Sequence, residues 1–167
     1  SVFESELAFD DNQQRKNFEN VITLVDDCCR EIRSVSHQMM PNALLKNGLA
    51  NAVKEFLDKI DNRVLKVSLH TEGLNERIDS NTETVLYRVI QECVNNVIKH
   101  AGASMMDISL IKDKDGISVT IEDNGKGFDK SVKSDSDGLG LKNISSRINY
   151  LKGTVDFDSA PGRGTLV

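Results

Sequence analysis

Apolar residues at Phe18, Val21, Val25, Cys28, Ile32, Val35 and Met39 recur at spacings of three and four, the period that lays one apolar seam along a helix. The positions between them are polar (Asn17, Glu19, Asp26, Asp27, Arg30), so the seam needs a partner helix, from this chain or from a second copy. Pro41, which lacks an amide donor, ends it and sets a boundary near residues 42–47. Ahead of the seam, residues 1–12 with Phe3, Leu7 and Phe9 read as the tail of an earlier helix and its turn. A second amphipathic helix is predicted from about Gly48, with Leu49, Ala52, Val53, Phe56, Leu57 and Ile60 on one side. Residues 64–71 then alternate, with Leu65, Val67 and Leu69 on one face, as a half-buried strand does.

Ser80-Asn81-Thr82-Glu83 has the form of a capping box, and it predicts a long helix running to about His100 with Leu86, Ile90, Cys93 and Val97 on its core face. Met106, Ile108 and Leu110 alternate next, Asp113-Lys114-Asp115-Gly116 supplies a turn, and Ile117, Val119 and Ile121 return as the paired strand. Leu141, Ile144, Ile148 and Leu151 give a further helix, which Gly153 is placed to end in a left-handed conformation. Val155 and Phe157 mark a strand, and Ala160-Pro161-Gly162-Arg163-Gly164 a turn into a last strand at Thr165. The order helix, strand, helix, strand, strand, helix, strand, strand predicts an α+β fold: a two-layer sandwich with helices on one sheet face.

Composition narrows the function classes. A chain of 167 residues with 38% hydrophobic and 28% charged residues is of ordinary soluble-globular make-up. Its net charge of -5 provides no basic footprint, which argues against nucleic-acid binding. Cys28, Cys29 and Cys93 have no metal-ligand spacing and read as reduced core thiols of a cytoplasmic protein. No apolar run approaches the length of a membrane span, which leaves an inner-membrane anchor to a longer parent. Both ends of the sequence read as cuts in such a parent.

Candidate chemistry gathers in three places. Glu92, Asn96 and His100 are spaced by four on the long helix, with Lys99 beside the same stripe. A carboxylate and an amide oxygen on adjacent turns make a hard-oxygen site suited to Mg²⁺. A solvated helix face is the plain alternative. Asp123-Asn124-Gly125-Lys126-Gly127-Phe128 follows the alternating strand, so that a carboxylate at a strand end meets glycines with little bulk, an arrangement that suits a flat base and its phosphates. A turn-forming Asp-Asn-Gly reads equally well there. Gly138-Leu139-Gly140-Leu141 opens the next helix and is weak evidence by itself.

Taken jointly, Glu92-x-x-x-Asn96-x-x-Lys99-His100, Asp123-x-Gly125-x-Gly127, Gly138-x-Gly140 and the late Gly164-Thr165 resemble the ATP-binding domain shared by sensor histidine kinases, gyrase, heat-shock protein 90 and mismatch-repair ATPases. Within that group the chain is most similar to bacterial two-component sensor histidine kinases paired with regulators of the nitrate-regulator type. Three stretches carry this: residues 32–41 before Gly48-Leu49, Asn96-Val97-Ile98-Lys99-His100-Ala101, and Gly138-Leu139-Gly140-Leu141-Lys142-Asn143-Ile144-x-x-Arg147.

The resemblance implies a Bergerat-type ATP-binding fold over residues 43–167, preceded over residues 1–42 by part of a helical dimerisation and phosphotransfer segment through which the parent forms a homodimer. It implies ATP and Mg²⁺ as cofactors and a response regulator as partner. Asp123 would accept from the adenine amino group with Thr165 supporting the same edge, and Asn96 would ligate Mg²⁺. Lys99 and His100 would approach phosphate oxygens. Gly125, Gly127, Phe128, Gly138, Leu139, Gly140 and Leu141 would complete the nucleotide site, and residues 129–137 would form its lid. Glu92 would orient the metal or polarise the attacking imidazole. In this family the acceptor histidine sits on the first bundle helix followed by an acidic residue, whereas Gln38 follows His37, so the acceptor is expected upstream of Ser1. Two alternatives remain at this level: a protein-serine kinase of the anti-sigma-factor type, and a nucleotide-binding module without catalysis.

Overall fold

The structure, a computed structural model, describes residues 42–129 and 138–167 together with Phe18 and Val21. The chain divides into two units, Ser1–Pro41 and Asn42–Val167. In the first, Phe18 and Val21 are helical, Phe18 half-buried and Val21 exposed. The rest of the predicted seam, His37, Pro41, Cys28 and Cys29 lie outside the described residues.

The second unit runs α1 (Asn42–Leu57), β1 (Lys66–Glu72), α2 (Ser80–Asn96) with a π-helical turn (Val97–Ala101), β2 (Met105–Lys112), β3 (Ile117–Asp123), α3 (Gly138–Tyr150), β4 (Asp158–Ser159) and β5 (Thr165–Leu166). The strands form one five-stranded sheet in the order β1-β2-β3-β5-β4. β1 lies parallel to β2 because the long α2 crossover returns the chain to the same end of the sheet. The remaining pairings are antiparallel, so the sheet is mixed. The hairpin between β2 and β3 turns as its sequence predicts, with Asp113 Oδ1 accepting from the amides of Asp115 and Gly116 at 2.8 and 3.0 Å.

One sheet face is covered and the other is open. In β2, Met106, Ile108 and Leu110 are buried while Met105 and Asp107 are exposed, and Ile121 of β3 joins the buried side. Leu86, Ile90, Cys93 and Val97 of the long helix meet that face as predicted, and Leu49, Ala52 and Val53 of α1 pack behind them. Phe56 and Tyr87 meet edge-on with ring centroids 6.1 Å apart.

Four local expectations change. α1 starts at Asn42 rather than Gly48, but Gly48 breaks it with φ 76°, leaving one helical segment on each side. The α2 cap is Asp79, whose carboxylate accepts from Thr82 N at 2.9 Å; Ser80 is already helical. Glu83 does not reach back in a capping box. It is buried and paired with Arg77 through bonds of 3.0 and 2.6 Å, while the same guanidinium donates to the Leu45 carbonyl at 2.8 Å.

The other two changes concern the end of α3 and the strand beyond it. Gly153 does not take the left-handed conformation; Lys152 does, with φ 59°. The amides of Lys152 and Gly153 bond back to the carbonyls of Asn149 and Ile148 at 2.9 and 3.0 Å, a Schellman closure. A Cβ on Gly153 would lie 3.1 Å from Ile148 Cγ2, a tight contact that a side chain there would have to push aside. Val155 and Phe157 alternate in burial but pair with no strand; the ladder forms only at Asp158 and Ser159.

Candidate functional site: a cleft between the long helix and the sheet edge

The row of residues across β3, β5 and β4 sets one wall. Asp123 pairs with Thr165, and Thr165 pairs with Ser159, so three polar side chains stand in one line on the helix-facing side of the sheet. Asp123 is only 6% exposed, and its Oδ1 accepts from the Gly125 amide at 2.7 Å, which fixes the carboxylate and leaves the second oxygen to other partners. Asn124, by contrast, is committed to the fold: its Oδ1 accepts from the amides of Ser104 and Met105, both at 2.9 Å.

The glycines after Asp123 let backbone close against backbone. A Cβ on Gly125 would stand 2.6 Å from the Ala101 carbonyl, and Gly127 and Gly164 both need positive φ where they press on Ala160 and Asp123. Lys126 N donates to Ala101 O at 2.9 Å, which ties this loop to the end of the π-helical turn.

Opposite, the long helix offers the polar row. The α-helical period stops at Asn96, and the π-helical turn carries Lys99 and His100 instead of the expected α-helical continuation. Both nevertheless line the same cleft as Glu92 and Asn96. The first turn of α3 leans directly on this row: a Cβ on Gly140 would lie 3.0 Å from Glu92 Oε1 and 3.4 Å from Asn96 Oδ1. That proximity explains a glycine here, and it brings the amino end of a 13-residue helix beside two hard oxygen donors.

The resulting cleft has a volume of about 620 Å³, within the range of small-molecule sites. Glu92, Asn96, Lys99, His100, Asp123, Gly127, Phe128, Gly140, Leu141 and Thr165 all line it. Gly125 lies beneath Asp123 rather than on the lining. Gly138 and Leu139 begin α3, and the Leu139 side chain and residues 130–137, most of the expected lid, lie outside the described residues. Cys93, Ile121 and Ile144 supply an apolar floor. Burial, with a smaller contribution from the Glu92 charge, pushes the Cys93 thiol up to about 12, so it is a neutral part of that floor.

Among the described residues no group of three or more His, Cys, Asp or Glu could hold a metal ion. The Glu92 and Asn96 oxygens are hard donors of the kind that suits an ion sharing its shell with water and phosphate oxygens. Three residues escaped the sequence reading: Lys126, which also lines the cleft, Ala101, whose carbonyl anchors the loop, and Ser159, which bonds to Phe128 and Thr165. Lys126 lies within the Asp-Asn-Gly motif and was legible there; Ser159 is set by strand register alone. Among the described residues no helix is long and apolar enough to cross a membrane.

Known proteins resemble the chain in sequence and in fold. The chain is 33% identical over 154 residues to the oxygen sensor histidine kinase NreB of Staphylococcus carnosus, covering 91% of this chain and 43% of that protein. It is 32% identical over 148 residues to the sensor histidine kinase MctS of Rhizobium johnstonii, covering 87% and 32%. It thus spans less than half the length of either relative. The crystal structure of the ATP binding domain of PrrB from Mycobacterium tuberculosis superposes with a TM-score of 0.52 at 22% identity, over 71% of this chain and 85% of that one, a likeness of fold. Residues 81–167, which hold nearly all of the long helix, the Asp123 row and the Gly140 turn, match the family model, and the chain belongs to the histidine kinase-, DNA gyrase B-, and HSP90-like ATPases.

Proposed function

We propose that the chain is the ATP-binding catalytic portion of a sensor histidine kinase, which moves the γ-phosphoryl group of ATP to a histidine imidazole nitrogen of its parent protein for relay to a response regulator. The observation that carries this reading is the convergence in one cleft of a fixed, buried carboxylate with Asn96, Lys99, His100 and the amino end of α3. Similarity to sensor kinases over 154 and 148 residues, more than residues 43–167 can hold, favours this over a serine kinase that would need no preceding segment.

Each residue then has a task. Asp123, with one oxygen held by Gly125, offers the other to the adenine amino group, and Thr165 stands beside it on the same row. Lys99 and His100 would approach phosphate oxygens, and the amino end of α3 would face the same charge. Asn96 would ligate the metal, with Glu92 beside it to orient the ion or polarise the incoming imidazole. Mg²⁺, when bound, would neutralise phosphate charge as the γ-group leaves. Phosphoryl transfer asks a protein mainly for positioning and charge stabilisation, and these residues can supply both. The parent acts as a homodimer through residues 1–42, at the cytoplasmic side of whatever anchors it.

The test is Mg²⁺-dependent binding of a fluorescent ATP analogue to the wild type, Asp123→Asn and Asn96→Ala. Each variant is expected to bind at least tenfold more weakly, Asn96→Ala only when Mg²⁺ is present. Equal affinity in the three proteins would remove this site.

A further inference from the structure

Ser159 lies outside the residues to which the proposed function gives a task, yet it occupies the end of the Asp123–Thr165 row. Its hydroxyl oxygen meets three groups at once. Phe128 N donates to it at 3.0 Å, Gly164 O accepts from it at 2.9 Å, and Thr165 Oγ1 lies 3.1 Å away. A serine hydroxyl has one proton and two lone pairs. The buried Gly164 carbonyl takes the proton. One lone pair receives the Phe128 amide, and the other is left to receive the proton of Thr165.

The Thr165 hydroxyl is thereby oriented: its hydrogen points along the row toward Ser159, and its own lone pairs face the cleft it lines. With the second Asp123 oxygen beside it, the base wall presents acceptors alone. Such a wall matches an exocyclic amino group, which has only hydrogens to offer, and opposes a carbonyl oxygen at the same position. A bridging water leaves the result unchanged, since a water held by two acceptors gives both its protons to them and turns a lone pair toward the ligand.

Resting on the adenine-nucleotide reading above, we infer that Ser159 is a positioning residue that fixes the hydrogen-bond polarity of the base wall and so selects a 6-amino purine nucleotide over a 6-oxo one. It acts through Thr165 and touches no substrate. Removing its hydroxyl frees the Thr165 proton to turn into the cleft and donate to a 6-oxo group.

The experiment compares binding of ATP and ITP, which differ in the base, to the full 167-residue chain and to Ser159→Ala, Ser159→Thr and Thr165→Val. The wild type is expected to prefer ATP, Ser159→Ala to lose about tenfold of that preference, the value of one hydrogen bond of matched polarity, and Ser159→Thr to retain it. In a Thr165→Val background Ser159→Ala should change the preference no further. Ser159→Cys, of nearly the same volume, replaces the alanine variant if that one fails to fold, with the same expectation. Equal loss of ATP and ITP affinity in Ser159→Ala would assign Ser159 a packing role only and overturn the inference, as would an unchanged ratio or a wild type without preference. A wild type that binds neither nucleotide would instead defeat the proposed function itself.

Discussion

A carboxylate that reads a base needs one oxygen anchored and one available, and at Asp123 the Gly125 amide does the anchoring. The position of that carboxylate was legible because the Asp-Asn-Gly pattern is local and the resemblance singled out Asp123; the task of Asn124, which holds the start of β2, was not. Ser159 was not legible, because it meets Thr165 only through the pairing of two short strands. Cys93 illustrates the same limit in milder form. Its place in the core followed from periodicity, but its position under the cleft did not. With a thiol at about 12, its thiolate is scarce at neutral pH and rises only as pH climbs toward that value. In a Cys28→Ser, Cys29→Ser background, Cys93 should react with a thiol reagent at pH 8 at least a hundredfold more slowly in the native protein than in denaturant. Comparable rates would show an open core.

Among the described residues, the helices and the first three strands that follow from periodicity were placed correctly, whereas Val155 and Phe157 joined no ladder, and element ends depended on partners far away in sequence or on a choice between neighbouring residues. The start of α2 is the clearest case. Asp79 and Ser80 are both good caps, and Glu83 was free to complete a box only if nothing else claimed it; Arg77 did. Because Glu83 is 2% exposed and Arg77 also holds Leu45 O, this pair links the α1 kink to the α2 entrance. Arg77→Ala should lower unfolding stability by roughly 3 kcal/mol in denaturant titration, since it leaves a buried carboxylate unpaired, and Arg77→Ala with Glu83→Leu should recover much of that loss. An additive double variant would mean that the pair does not interact.

The end of α3 gives a second test of element logic. Lys152 holds a left-handed conformation that a side chain resists, with glycine one position too late to serve. Lys152→Gly should therefore raise stability by about 1 kcal/mol, read from thermal or denaturant unfolding. A loss of stability would mean that the lysine side chain matters more than its backbone strain.

At the scale of the molecule, the order of elements gave the α+β class, but the parallel pairing of β1 with β2 and the insertion of β5 between β3 and β4 came only with the fold. Those two facts put the carboxyl end of β3 next to β5, and so bring Asp123 and Thr165 together from positions 42 residues apart. The resemblance implies an acceptor histidine upstream of Ser1, so this chain is not expected to phosphorylate itself. Incubated with γ-labelled ATP, it should form no acid-labile phosphohistidine, yet should label a parent chain whose acceptor is intact and whose own Asp123 equivalent is disabled. Labelling of this chain that His37→Gln abolishes would move the acceptor into it.

The claim beneath all of these is that the hollow between the long helix and the Asp123 row is where a purine triphosphate sits. A crystal structure of the chain with a nonhydrolysable ATP analogue and Mg²⁺ tests it most directly. The account predicts the adenine amino group at Asp123 and Thr165 and the phosphates between Asn96, Lys99 and the first turn of α3; an analogue bound elsewhere, or a base turned away from Asp123, would contradict it.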